Sequence, residues 1–234
     1  LLARFGVATL DGFGSPGRAE LAAAAGLLAY LDATQKDASS FLAAPRRIAR
    51  SAHMAIDPAT RESLEILRSA DGRQGGGTSL FATIDRCVTA CGKRLLAADL
   101  SAPLTERRVI EARLALVGWF HDASLRRNRV RGSLRAIPDL GRALGRLVAG
   151  RGSPRDLASL RDGLAAAARL HDELSSEALR PPLLEITLPD LGGHRALVDR
   201  LSRGLVESPP LDAAKGGFIA EGYDAALDAL LGAV

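Results

Sequence analysis

The sequence predicts an all-α protein, on three observations. Apolar residues recur at spacings of three and four in roughly eight separate segments. Several of those segments open on a helix-start signature and close on glycine or proline. Extended character is confined to about three short stretches, and no fixed-period repeat marks a solenoid. With 234 residues, 47% of them hydrophobic and 25% charged, the chain is long enough to bury a substantial core.

Residues 1 to 34 read as a loop or strand-like segment followed by a helix, in which Leu21, Ala25, Leu28 and Leu31 repeat after the punctuation of Pro16 and Gly17. Gln35 to about Ala52 has no sustained period. With Pro45 and the basic cluster Arg46, Arg47 and Arg50, it reads as a linker. Asp57-Pro58 is a helix start, because Asp accepts from the free amides of the first turn and Pro needs no donor there. Leu64, Ile66 and Leu67 are expected to turn inward. Gly72 to Gly77 is a flexible loop; it lacks a Gly-Lys-Ser/Thr ending and a preceding strand, so it is not a phosphate loop.

In the stretch Gly77 to Leu104, the residues Leu80, Ile84, Val88, Leu95, Leu96 and Leu100 place one apolar stripe down a helix, the expected centre of the core. Cys87 and Cys91, the only cysteines, would share a face of that helix as reduced thiols; no further Cys or His pair completes a zinc site. Pro103 ends this element and Thr105 caps the next, whose buried face is Val109, Ile110, Leu114, Val117 and Phe120.

Ser124 to Arg135 is the densest positive patch. Arg126, Arg127, Arg129 and Arg131 are candidates for weak contacts with DNA phosphates, although no aromatic residue is interleaved to stack on bases, and a solvated helix surface is the competing reading. Asp139 opens a short helix with Leu140, Leu144, Leu147 and Val148 inward. Ser153-Pro154-Arg155-Asp156 approaches a capping box and should start a long helix to about Ser175, broken only mildly by Gly163. Pro181, Pro182 and Pro189 fill an irregular connection. His194 to about Val206 is amphipathic, Gly216 to Ile219 forms a short extended pair or turn, and Tyr223 begins a last helix that docks through Tyr223, Leu227, Leu230 and Leu231.

Catalytic chemistry is not expected. His53, His121, His171 and His194 are scattered without metal-ligand spacing, Ser39-Ser40 and Ser175-Ser176 sit in loops without a nucleophile elbow, and Asp156, Asp162, Asp172 and Glu173 read as exposed helix charges. A formal charge of +4 permits contact with nucleic acid without demanding it. The longest apolar runs are too short to cross a bilayer. The sequence begins without Met and closes inside a helical pattern, so it is expected to be a piece of a longer protein.

Several blocks, in chain order, resemble the bacterial MutS family of mismatch-repair proteins. FGVATLDGFG and the helix after it resemble the end of that family's connector domain. Met54, Asp57, Ala59, Thr60, Arg61, Leu64 and Glu65 are similar to the entry of its core domain. The most recognisable block is Gly77, Leu80, Asp85, Thr89, Gly92, Arg94, Leu95, Leu96, Pro103 and Leu104. Asp139, Leu140, Arg142 and Pro154 to Leu157 follow, then Gly216, Gly217, Ile219, Gly222, Tyr223, Leu227 and Asp228. Ser63, Cys87, Asp99 and Gly141 depart from the usual pattern.

The resemblance implies a multi-helix core/lever bundle. Residues 1–36 would be a connector-domain remnant, 37–53 a linker, and 54–234 the core/lever domain before the clamp insertion. It also implies a cytoplasmic parent, homodimeric, that recognises mismatched duplex DNA, uses ATP and Mg to become a sliding clamp, and recruits MutL. The mismatch-reading residues would precede Leu1, and the ATPase motifs and clamp would follow Val234. This stretch would then bind no cofactor and catalyse nothing, and would carry nucleotide state to DNA grip. A stand-alone helical nucleic-acid-binding module acting through Ser124 to Arg135 and a helical enzyme with an unrecognised site are the alternatives.

Overall fold

The structure is a computed structural model that describes residues 1–34, 42–45, 52–69 and 78–233. The described residues form twelve α-helices and several single 3-10 turns. Among them no strand forms, only two isolated antiparallel bridges, His53–Leu104 and Leu205–Ile219. The all-α expectation is met. The basic cluster at Arg46, Arg47 and Arg50, the serines at 39 and 40 and the glycine run lie outside the described residues.

The N-terminal segment holds a short helix and a 3-10 turn where a loop or strand-like segment was expected. Helix α1 (Leu2–Phe5) ends at Gly6 and a 3-10 turn at Asp11–Phe13 ends at Gly14, both glycines in the left-handed region at φ 62 and 85. Helix α2 (Arg18–Thr34) is tied back by the Arg4–Asp32 ion pair at 2.8 Å. The Phe5 and Phe13 rings meet edge to face, 5.8 Å between centroids.

Helix α3 (Pro58–Ser63) starts as its sequence requires, with Asp57 accepting from the Thr60 amide at 3.0 Å. Of the three residues expected inward, Ile66 alone is buried, and Leu64 is 60% exposed. The apolar stripe of Gly77 to Leu104 is not one helix. Helix α4 (Leu80–Ile84) stops, and α5 (Ala90–Ser101) starts afresh behind the cap of Thr89, whose hydroxyl accepts from Gly92 N at 3.0 Å. Asp85 turns the chain between them by accepting from Cys87 N at 2.9 Å. This break loses the helical phase, so Leu80, Ile84 and Leu95 are exposed and Cys87 and Cys91 do not share a helix.

The core lies later in the chain. Val130, Leu170, Leu174, Leu184 and Leu188 are its buried centre, with Leu116, Trp119, Phe120, Leu134, Ile137 and Leu191 packed around them. These residues come from α6 (Arg107–His121), α7 (Ser124–Arg135), α9 (Pro154–Ser175), α10 (Pro182–Thr187) and the 3-10 turn Leu188–Leu191, with Ile137 from the turn after α7. The proline-rich connection is therefore helical and supplies core, because Pro182 occupies a first-turn position where no amide donor is needed. On α6 the inward face is Leu116, Trp119 and Phe120, while Leu114 and Val117 are each 62% exposed. Glu106, not Thr105, is its N-cap residue.

Helix α8 (Leu140–Val148) packs on α9 through Ala143, which is completely buried, and Leu144 points outward instead. Gly163 makes this approach possible: a Cβ there would stand 2.9 Å from Leu140 Cγ and 3.2 Å from Pro138 Cγ. The capping box at the start of α9 forms in full, Asp156 N donating to Ser153 Oγ at 3.3 Å and Ser153 N to Asp156 Oδ2 at 2.9 Å. Asp156 is buried, contrary to its reading as an exposed helix charge. Ser175 closes α9 and Ser176 caps it, so neither stands in a free loop.

Helix α11 (Arg195–Gly204) lies on α9 and leads into the Leu205–Ile219 bridge, where the sequence suggested an extended pair. The last helix, α12 (Ala225–Leu231), is capped by Asp224, with Tyr223 just outside it against Gly204. Its expected docking face is largely uncovered: Leu230 is 68% and Leu231 66% exposed.

Candidate nucleic-acid interface

Helix α7 carries the four arginines that the sequence offers as phosphate contacts, and the fold separates them by helical phase. Arg126, Arg129 and Ser133, at spacings of three and four, face the C-terminal end of α9 and the residues just after it. There Arg126 donates to Glu177 at 3.0 Å, Arg129 to Glu177 at 3.1 Å, and the Ser133 hydroxyl to Glu173 at 3.3 Å. The Glu177 carboxyl is held below its usual range, chiefly by Arg126 and then by Arg129.

Arg126 is further committed. Its guanidinium lies 3.7 Å from the centroid of the Trp119 ring and donates to the Trp119 carbonyl at 2.9 Å. Trp119 in turn donates its indole N–H to the Leu179 carbonyl at 2.6 Å. Arg127 donates to the carbonyls of Phe120 at 3.0 Å and His121 at 2.6 Å, the free acceptors at the end of α6. The aromatic missing between the arginines thus sits seven residues before Arg126, on the preceding helix.

Arg131 is the exception. It is half-buried, its charge reaches Cys87, and among the described residues it forms no ion pair. With Ser124, Asn128 and the exposed Arg135 it lies on a separate face of α7 by spacing. Arg135 was not among the sequence candidates, and the i, i+4 relation to Arg131 was the signal for it.

A second polar node joins distant blocks. Asp139 accepts both Arg94 guanidinium nitrogens, at 2.7 and 2.8 Å, the Cys91 thiol at 3.3 Å, and the Arg142 amide at 3.3 Å as the N-cap of α8. Arg94 holds its carboxyl well below the ordinary aspartate range. Partial burial and the neighbouring carboxylate push the Cys91 thiol up, against nucleophilic use. A third node closes α8 on α9: Arg146 binds Asp156, with its Nε at 3.1 Å, and the carboxyl sits at about 2, held there mainly by Arg146 and then by the Ser153 bonds.

His53 pairs with the Ala102 carbonyl at 2.9 Å, and His121 and His171 lie beside their own neighbours Asp122 and Asp172. Among the described residues no three His, Cys, Asp or Glu side chains gather as metal ligands would. An open cleft of about 550 Å³ beside α3 is lined by Pro58, Arg61, Glu62, Ile66, Leu67 and Ser101; Arg61 already donates to the Ile56 carbonyl at 2.9 Å. No helix among the described residues is long and apolar enough to cross a membrane.

Residues 59–232 match the family model described as MutS domain III. The chain is 57% identical over 224 residues to the DNA mismatch repair protein MutS of Erythrobacter litoralis, covering 96% of this chain and 25% of that protein. It is 55% identical to the DNA mismatch repair protein MutS of Zymomonas mobilis, covering 97% of this chain and 26% of the relative. For the protein of the same description from Cereibacter sphaeroides, identity is 46%, with 97% of this chain and 26% of the relative covered. The chain spans about a quarter of the length of the curated relatives it matches.

Proposed function

From the premise that this chain belongs to the MutS family of mismatch-repair proteins, we propose that it is the helical core of such a protein, transmitting nucleotide state to the grip on mismatched DNA. The observation that carries this reading is the single brace built around α9. This helix of 22 residues, about 33 Å long, takes α8, α11, α7 and the Leu188–Leu191 turn along its length. A packed helix with few soft modes moves as a body and can carry a small displacement from one end to the other.

In this reading residues 1–36 belong to a connector domain and 54–234 to the core/lever domain. ATP, Mg and the mismatch are bound by other parts of a longer homodimeric protein that recruits MutL. The arginine chemistry supports a mechanical role over a DNA-reading one. Arg126, Arg127 and Arg129 brace α6, α7 and α9, which leaves Arg131 and Arg135 for any weak phosphate contact.

Two titrations test the proposal. Calorimetry of this chain with Mg-ATP should show no saturable binding, while the full-length protein binds it. Competition between homoduplex and mismatched duplex for this chain should show no preference, with raised salt abolishing both. A mismatch preference at fixed salt would favour the stand-alone nucleic-acid module, and nucleotide binding to this chain would reject the assignment of ATP to other parts.

A further inference from the structure

Helix α5 is attached to the body in an unusual way. It contributes no buried residue and no member of the core cluster. Ion pairs strap it instead: Lys93 holds Asp85 of the preceding turn at 3.2 Å, and two further pairs reach other helices. Arg94 reaches Asp139 on α8 at 2.7 and 2.8 Å, and Asp99 receives Arg113 of α6 at 2.8 Å. Arg94 and Asp99 are five residues apart, about 140° around a helix, so the straps pull on different faces toward different helices.

The two straps differ in what lies behind them. Arg113 and Asp99 are a single-contact pair, each more than 40% exposed. Asp139 is the N-cap of α8, and α8 is fixed on α9 by the fully buried Ala143 and by Arg146–Asp156. A pull on Arg94 is therefore delivered to the end of a helix that cannot shift without α9. The pair is bidentate and directional, yet Arg94 is 45% exposed, so water can replace it at small net cost. Leu96 and Leu100 of α5 are half-buried and no residue of the helix is fully buried, so no closed apolar seam fixes it and this contact can open and reclose.

We propose that Arg94–Asp139 is a latch: a positioning contact through which α5 and the α8–α9 brace move together, so that its closure governs nucleotide-driven release of DNA. The coupling part rests on the reading given under the preceding heading. Neither residue touches nucleotide or DNA in this account; both act through the helices they join.

The test uses the full-length protein with Arg94→Gln, Asp139→Asn, the double variant and Arg94→Lys. Asn preserves the cap of α8 while removing the charge. Hydrogen exchange over Ala90–Ser101, mismatch affinity without nucleotide, and the rate at which Mg-ATP releases mismatched duplex are measured together. Each single variant should raise exchange in α5, with α9 unchanged, and alter the release rate by about tenfold at unchanged nucleotide-free affinity. The double variant should add little, and Arg94→Lys should recover part of the effect. Wild-type exchange in α5 in both single variants overturns the latch. Raised exchange with wild-type release reduces it to a static brace and overturns the coupling. A wild-type protein that releases no DNA with Mg-ATP removes the functional reading, and the coupling with it, whatever α5 does.

Discussion

Arg126 covers the face of the Trp119 ring at 3.7 Å while donating to that residue's own carbonyl at 2.9 Å, so one side chain closes both the aromatic surface and the end of α6. The same guanidinium reaches Glu177 at 3.0 Å. Trp119→Phe keeps a ring but loses the bond to the Leu179 carbonyl, and it should lower stability by about 1–2 kcal/mol. Arg126→Ala should cost about 1–3 kcal/mol, since it removes the stack and leaves Glu177 with Arg129 alone. Urea unfolding curves with unchanged slope read both values; a neutral Arg126→Ala would place this arginine back on the solvated surface.

Gly163→Ala sets two effects against each other. Alanine in a helix interior gains about 1 kcal/mol over glycine, but the added Cβ would meet Leu140 and Pro138 inside normal contact distance. Overpacking of this kind costs about 1–3 kcal/mol, so net destabilisation is expected. Thermal unfolding of the variant checks the sign, with a raised Tm showing that α8 yields easily.

Asp156 should make stability fall at low pH. Its carboxyl sits at about 2 when folded, against 3.8 for an ordinary aspartate, because Arg146 and Ser153 favour the charged form. A depressed folded value means that the contribution is complete above about pH 4 and is lost as pH falls through about 2. Asp156→Asn should be less stable near neutrality and should flatten this part of the profile. Chemical unfolding at a series of pH values compares the two, and parallel curves would show that other carboxyls dominate.

Helix α12 is seven residues long, too short to persist without its ends. Asp224 accepts from Ala226 N at 3.0 Å and Leu227 N at 3.2 Å, and Asp228 accepts from Gly222 N at 2.9 Å. Asp224→Ala should cost this helix about 1 kcal/mol and raise amide exchange from Asp228 to Gly232 about fivefold, leaving α9 unaffected. Unchanged exchange would mean that packing, not the cap, holds it.

Local signals were legible wherever a side chain acts on its own backbone. Asp57-Pro58, Asp139 and Ser153 to Asp156 start helices as their sequences require, because a cap depends on three or four consecutive residues. The same locality explains why the central block misled. The short Asp85 and Thr89 turns break the helix, and a period counted across the break assigns the wrong face.

The arginine patch shows the other limit. Its density was visible, but which arginine meets a carboxylate depends on Glu173 and Glu177, some 40 to 50 residues away. Arg94 and Asp139 were each legible as family residues, and their contact was not, since 45 residues separate them.

By itself the sequence determined the helical class, the helix starts at Asp57, Asp139 and Ser153, and the family, since capping, periodicity and motif order are written along the chain. Only the tertiary structure decided which apolar faces are buried, which arginines are neutralised, and where α5 is strapped. Those outcomes depend on the angle and phase at which α6, α7, α9 and α10 meet, and a single turn between two helices resets that phase.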